Sequence, residues 1–394
     1  MDNIAIVAVA YNRPNSLSRL LNSLNQADYQ SRLDIPLIIS IDWSSEAEKV
    51  YEIAENFNWM HGPKEIIKHS KNLGLKKHIM LCGDLTQRYE NIAVFEDDLY
   101  VAPGFFQFGL KSIDYYRGCR HIAGISLYTP EWNQTSNRFF SFEKMRFDTF
   151  FIQYAQSWGQ IWTKKWWDEF KIWLEKENDK IFSEAIVPEN VKRWENNKSW
   201  LKDHIKYCIE SNKYFVYSTV SYSTNFSEEG EHNSFTSPSY QVNLFNETKK
   251  DFSFAEFSSE AIRYDSFFER EGLHKDLNIS KTDLTIDLYG EKKQWNKYLL
   301  TTKVLNYKIL KSYGMKLRPH ELNVIKGITG SDIYLYDTEL IDLESNHKSN
   351  SRVSDIKLSI YDLRATSNRT LLLLNSYYMK LTIGRKLKSL LKFK

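Results

Sequence analysis

The chain has 394 residues, 42% hydrophobic and 15% aromatic, which is enough apolar material for a sizeable core and two domains. A formal net charge of +3 argues against general nucleic-acid affinity. Cys82, Cys119 and Cys208 cannot all pair and no Cys-x-x-Cys or His-x-x-x-His spacing suggests zinc, so they read as reduced, buried thiols.

Residues 4 to 10, IAIVAVA, predict a buried strand that runs into Tyr11-Asn12-Arg13-Pro14. The helix that follows places Leu17, Leu20, Leu21 and Leu24 on one face, with Asn15 or Ser16 as its N-cap. A second strand, Pro36 to Ile41, ends in Asp42. A third, Ile92 to Phe95, delivers Glu96, Asp97 and Asp98 together at its carboxyl end. Open α/β sheets bind ligands at that end. Three adjacent carboxylates repel each other and lose hydration near the interior, and a divalent cation relieves both costs. Hard oxygen ligands select Mg²⁺ or Mn²⁺, which can hold a substrate diphosphate. An acidic turn after a strand is the bland alternative.

The order of these motifs carries a resemblance. Strand–Tyr-Asn-Arg-Pro, strand–Asp42, Asn72-Leu-Gly-Leu75, then Glu96-Asp97-Asp98-Leu99 and Val101-Ala-Pro-Gly-Phe-Phe106 resemble GT-A glycosyltransferases, animal N-acetylglucosaminyltransferase I in particular. The resemblance spans roughly residues 4 to 235 and is dense at 4 to 45 and 92 to 106. It implies an α/β fold with a Rossmann-like GT-A domain that binds a nucleotide-diphospho-sugar, here followed by a C-terminal α/β extension. It gives Asp98 direct metal contact, and Glu96 and Asp97 ribose or water-mediated contact. Arg13 and Asp42 would hold the nucleotide, the carboxylate accepting an imide N–H of uracil and the guanidinium neutralising phosphate or pairing the Asp. Lys71, in His69-Ser-Lys71-Asn72-Leu-Gly74, would lie near the diphosphate. A solvated charge and a surface ion pair are the plain readings of the same residues.

Further along, Trp158, Trp162 and Trp166 recur every four residues and read as a helical stripe facing mostly the core. Trp158 is the one expected to stack on a sugar. The resemblance puts the catalytic base after a Trp in a paired-acid motif. Ser199-Trp200-Leu-Lys-Asp203-His204 keeps one acid of that pair, so Asp203 is the candidate, with His204 a weaker one. After an expected strand at Tyr214 to Tyr222, the loop FSEEGEHNS carries His232, which can reach a metal or phosphate.

The division expected is a catalytic domain over 1–245, an accessory region over 246–340 and a polar loop with a basic tail over 341–394. Within the middle part, 246–280 reads as a linker or lid. Strands are expected at Leu284 to Tyr289 and Asp332 to Tyr336, around a helix from Gln294 to Tyr313 capped by Gly314. The tail, Lys380 to Lys394, has six basic residues and no acid, with Ile383, Leu387, Leu390 and Leu391 at helical spacing, the pattern of an inner-leaflet contact. A core strand starting at residue 4, and no apolar run near the ~20 residues that span a bilayer, predict a cytoplasmic protein.

These features predict a metal-dependent, inverting transfer from a nucleotide-sugar donor, a UDP-sugar first, to a cell-surface glycan or lipid-linked acceptor. A sugar nucleotidyltransferase shares the fold type and metal but usually has a Gly-rich basic loop after the first strand, and Tyr11-Asn-Arg-Pro14 has no glycine. A non-catalytic glycan-binding or assembly protein would suit the aromatic content but needs no carboxylate triplet.

Overall fold

The computed structural model describes residues 3–177, 187–226, 228, 240–258, 260–342 and a few positions between 358 and 379. His232, the polar loop 344–351 and the basic tail 380–394 lie outside the described residues. By contacts, Met1–Thr302 with Tyr307–Leu343 make one compact unit, and Lys303–Asn306 with Glu344–Lys394 a second.

In chain order the first part reads β1 (Ala5–Ala10), α1 (Pro14–Asn25), β2 (Leu37–Ile41), α2 (Ala47–Asn56), β3 (Lys64–Lys68), α3 (Leu75–Asp84), α4 (Thr86–Tyr89), β4 (Asn91–Glu96), β5 (Leu99–Val101) and α5 (Phe105–Tyr116). There follow β6 (Ile122–Ser126), β7 (Trp132–Asn133), β8 (Arg138–Phe139), β9 (Thr149–Ile152), β10 (Gln160–Thr163), α6 (Lys164–Glu177), α7 (Glu189–Lys192), α8 (Trp200–Glu210), β11 (Tyr214–Ser218), β12 (Ser223–Asn225) and β13 (Arg263–Tyr264). The last part is α9 (Leu273–Leu277), β14 (Leu284–Asp287), β15 (Tyr298–Thr301), β16 (Tyr307–Tyr313), α10 (Glu321–Ile325) and β17 (Ile333–Ile341).

The fold is mixed α/β. Its main sheet has nine strands in the order β13-β9-β11-β6-β10-β4-β1-β2-β3. Strands β3, β2, β1 and β4 are parallel, and β10 runs antiparallel between β4 and β6. The period of two along β1 builds both faces. Ile4, Ile6, Ala8 and Ala10 join one core cluster with Leu17, Leu20, Leu21 and Leu24 of α1 and Phe105 and Phe106 of α5. Ala5, Val7 and Val9 join the other, with Ile79 of α3, Trp167 of α6 and Trp200 of α8. All four α1 leucines are fully buried, each stabilising by roughly 1.5–3 kcal/mol. The helix begins at Pro14 with Arg13 as N-cap, so Asn15 and Ser16 are inside it; the fixed φ of proline suits the first helical position.

Four expected elements differ. Trp158, Trp162 and Trp166 share no helix: Trp162 lies on β10 and α6 starts at Lys164. Strand β10 runs straight into α6 between Trp162 and Trp166, so the four-residue spacing does not reflect one helix. The helix expected over 294–313 is instead β15 and β16, in a four-stranded sheet ordered β14-β15-β17-β16. Leu300 of β15 faces Ile333 and Leu335 of β17 in a third core cluster, and this cross-strand burial outweighs local helical pattern. Gly314 ends a strand, not a helix; a Cβ there would stand 2.8 Å from the Thr329 carbonyl oxygen. The stretch read as a linker or lid at 246–280 supplies β13 of the main sheet, and Phe252, Phe254 and Phe257 pack on its core. The strand expected over 214–222 ends at Ser218 as β11, and β12 starts only at Ser223.

Candidate functional site

The parallel register pairs Val9 of β1 with Glu96 of β4, so the carboxyl ends of these strands meet. Tyr11 and Arg13 leave β1 at that point, and Asp97 and Asp98 leave β4. The Asp97 side chain is buried and accepts from the Tyr11 amide at 3.4 Å and from the Arg13 guanidinium. Arg13 also donates to Asp98 Oδ2 at 3.2 Å. Arg13 thus pairs with the acid cluster, not with Asp42. Burial pushes the Glu96 carboxyl up to about 8, with the Asp98 and Asp97 charges adding to the effect and Arg13 opposing it. Burial likewise lifts Asp97 to about 6, against the Arg13 charge.

Among the described residues no group of three or more His, Cys, Asp or Glu side chains is arranged to hold a metal. Both Asp97 oxygens are taken by Tyr11 and Arg13, but Asp98 Oδ1 is buried with no hydrogen-bond partner. One free carboxylate oxygen fits a cation that draws most of its ligands from a substrate diphosphate and water, as Mg²⁺ does.

Asp42, at the end of β2, is buried. Its Oδ1 accepts from the amides of Trp43 and Leu73, both at 2.8 Å, and its Oδ2 from Gly74 at 3.1 Å. Asp42 therefore anchors the 70–74 loop between β3 and α3, the loop on which Lys71 is exposed. Asn72 in the same loop donates to Tyr11 Oη at 3.2 Å and to the Trp43 carbonyl at 3.0 Å. Trp43 is 49% exposed beside it.

Trp158 is half-buried, its ring 4.8 Å from those of Tyr128 and Tyr240. Continuing the β10–β4 register, in which Gln160 faces Val94, sets Trp158 level with Glu96. Gly159 makes the close approach: its φ is +88°, and a Cβ would lie 2.8 Å from Ser223 Oγ. That hydroxyl donates to the Trp158 carbonyl at 2.6 Å.

Asp203 sits in the first turn of α8, capped by Ser199, and is nearly buried, paired to Lys76 of α3 at 2.5 Å. Because α8 leads into β11, which runs parallel to β6, the start of α8 lies toward the carboxyl ends of the parallel strands. His204 is not a usable base. It is fully buried, stacked on Phe170 at 4.3 Å among Trp162, Trp200, Tyr207 and Phe215, and burial drives its imidazole down to about 3.

One part of the site was missed. Phe226 donates its amide to the Asp98 carbonyl at 3.0 Å, and Glu228 two residues on accepts from Arg19 at 2.7 Å and Ser16 Oγ at 3.0 Å, both on α1. Arg19 also lies 3.7 Å over the Phe226 ring. Arg19 and Ser16 hold the Glu228 carboxyl below the ordinary range. In the sequence the only sign is a pair of polar residues one turn apart on a leucine-faced helix, which a solvated face explains equally well.

No family model and no curated protein matches this chain. Among solved structures, S. aureus TarS 1-349 in complex with UDP-GlcNAc is similar at 18% identity over 58% of this chain and 60% of that one, with a TM-score of 0.38. A mannosyltransferase, PcManGT from Pyrobaculum calidifontis in complex with GDP-Man and Mn²⁺, is similar at 10% identity over 48% of this chain and 51% of that one, TM-score 0.30. GalNAc-T7 with UDP, GalNAc and Mn²⁺ is similar at 11% identity over 55% and 42%, TM-score 0.37. The chain covers less than two thirds of each of these proteins' length.

Proposed function

We propose that the protein is a metal-dependent glycosyltransferase of the GT-A type, taking a nucleotide-sugar donor and inverting the anomeric centre. The observation that carries this reading is the acid cluster: three carboxylates at the end of a parallel strand, two of them clamped by Arg13, with one buried Asp98 oxygen left free. Asp98 would hold Mn²⁺ or Mg²⁺, which when bound neutralises charge on the departing diphosphate. Asp42 and the loop it anchors would face the base, with a UDP-sugar the donor class, and Lys71 would face the diphosphate. Trp158 would offer an aromatic face to the sugar.

Asp203 is the base in this reading. It takes the proton of the acceptor hydroxyl, whose oxygen forms the new bond to the anomeric carbon as the bond to the nucleoside diphosphate breaks. The carboxylate must leave Lys76 to do so. Asp203→Asn, nearly isosteric, should lower kcat by about 10²-fold or more and leave UDP affinity intact, read by steady-state kinetics beside calorimetry. The acceptor is a cell-surface glycan on a lipid carrier, reached from the cytoplasmic face of the membrane through the basic tail. Among the described residues no helix is long and apolar enough to cross a membrane.

Calorimetric titration of UDP with and without Mn²⁺, followed by a hydrolysis screen across nucleotide sugars, tests the function. Mn²⁺-dependent UDP binding and slow hydrolysis of one donor are expected. Absence of both would end the glycosyltransferase reading.

A further inference from the structure

Two buried or half-buried imidazoles converge on one hydroxyl just beneath the proposed nucleotide rim. Ser40 lies on β2, two residues before Asp42, and is buried. Its Oγ is 2.7 Å from Nε2 of His78, a buried residue of α3. The same Oγ is 3.4 Å from Nε2 of His69, which follows β3. The two rings lie edge to face, 5.2 Å apart.

The chemistry of these groups limits how the bonds run. A hydroxyl has one proton to give. Ser40 can donate to only one ring, so the other ring must donate to it. Burial drives His78 down to about 4, so it is neutral at pH 7, with one donor and one acceptor nitrogen. The tautomers set which ring gives and which takes. The buried Cys82 thiol is a further hydrogen-bond partner of Ser40. The relay His69–Ser40–His78 needs no ion.

Its position gives it a consequence. His69 and His78 flank the 70–74 loop, one just before it and one on the helix just after it. The His69 amide also donates to the Ile41 carbonyl at 3.0 Å. Above the relay, Asp42 holds the Leu73 and Gly74 amides. The loop bearing Lys71 and Asn72 is therefore fastened to β2 at two levels, by a carboxylate at the strand end and by the Ser40 relay one layer below. Without the lower fastening, α3 can shift along β2 and carry Gly74 away from Asp42.

We infer that Ser40, His69 and His78 are positioning residues for nucleotide-donor binding, acting through the Asp42-anchored loop. The inference rests on the proposed glycosyltransferase reading, and concerns donor affinity alone. None of the three needs to touch the donor.

The test uses the full chain with UDP and Mn²⁺. Ser40→Ala removes one oxygen and no volume, so it should fold. It should weaken UDP binding and raise the donor KM about tenfold, the effect of losing one buried hydrogen bond, while kcat changes less than about threefold. His78→Gln keeps a polar group near the position of Nε2 and should recover much of the affinity that His78→Leu loses. Hydrogen exchange at the Leu73 and Gly74 amides should quicken in Ser40→Ala and not in other strands of the sheet. Wild-type binding with an unchanged Ser40→Ala affinity overturns the relay and leaves the function standing. A fall in kcat at constant KM overturns it as well. If the wild type itself binds no UDP with Mn²⁺, the parent reading fails and this one with it.

Discussion

At the scale of single residues the acid cluster is governed by competition for a few oxygens. Asp97 is fully committed to Tyr11 and Arg13, whereas Asp98 shares one oxygen with Arg13 and keeps the other. Asp98→Ala should therefore abolish transfer, by on the order of 10²-fold or more, while the protein stays folded. Turnover near wild type at saturating Mn²⁺ would remove Asp98 from the site. Asp42 behaves differently, because its three backbone donors give it a structural role beside the nucleotide contact proposed for it. Asp42→Asn replaces one accepting oxygen with an NH2 that faces a backbone N–H, donor against donor, and should weaken UDP binding by ~1–3 kcal/mol in calorimetry. It should also lower the denaturation midpoint, which a residue serving the ligand alone would not do. The carboxylate triplet and Asp42 were legible because charge at a strand end is written locally. The partner of Arg13 was not: Asp97 and Asp98 lie more than 80 residues away. Only the β1–β4 register brings them together.

At the scale of elements, legibility followed burial on both faces. The β1 strand is a continuous apolar run, and β2 and β4 carry apolar runs at Leu37–Ile39 and Ile92–Phe95; such runs admit few other placements. The 294–313 stretch failed because Leu299, Leu300, Ile309 and Leu310 sit at spacings that suit a helix. Its strands are settled by pairing with β17, 20 or more residues further on. The Trp158–Trp166 stripe failed because changes of element fall inside it, into β10 just after Gly159 and from β10 to α6 at Lys164. With φ +88° and Ser223 Oγ at Cβ distance, this glycine has both a backbone and a steric reason to be there. Gly159→Ala should cost ~1–3 kcal/mol in urea denaturation, the range for a residue forced into such a conformation. It should also displace Trp158, so any donor-sugar selectivity ought to loosen. An unchanged midpoint would mean that the turn relaxes without strain.

At the scale of the whole molecule, burial holds three histidines neutral at pH 7: His78 on α3, His204 on α8 and His320 at the start of α10. His204 has both ring nitrogens buried without a hydrogen-bond partner among the described residues. Burial lowers it to about 3, His78 to about 4 and His320 to about 3. In the unfolded chain each titrates near the ordinary ~6.5. Between the two values the unfolded state binds more protons, so their contribution to stability is complete above about 6.5 and is lost as pH falls. The displacement at His204 corresponds to roughly 4–5 kcal/mol once titration is complete. Glu321 works in the opposite sense. Burial raises it to about 7 while Tyr264 donates to it at 2.6 Å, so its contribution is present at low pH and is lost as pH rises towards 7. The histidines contribute an acid limb starting below pH 6.5, and Glu321 opposes it together with Glu96, Asp97 and Glu269, whose carboxyls burial also raises. His204→Phe separates the two effects. Phenylalanine keeps the stack on Phe170 and removes two nitrogens whose burial without partners costs ~1–3 kcal/mol each. The variant should be more stable than wild type at pH 7, and its acid limb should be shallower by about one proton between pH 6.5 and 4, measured by urea denaturation across that range. A variant with the same acid limb as wild type would show that His204 is not the group whose protonation sets that limb.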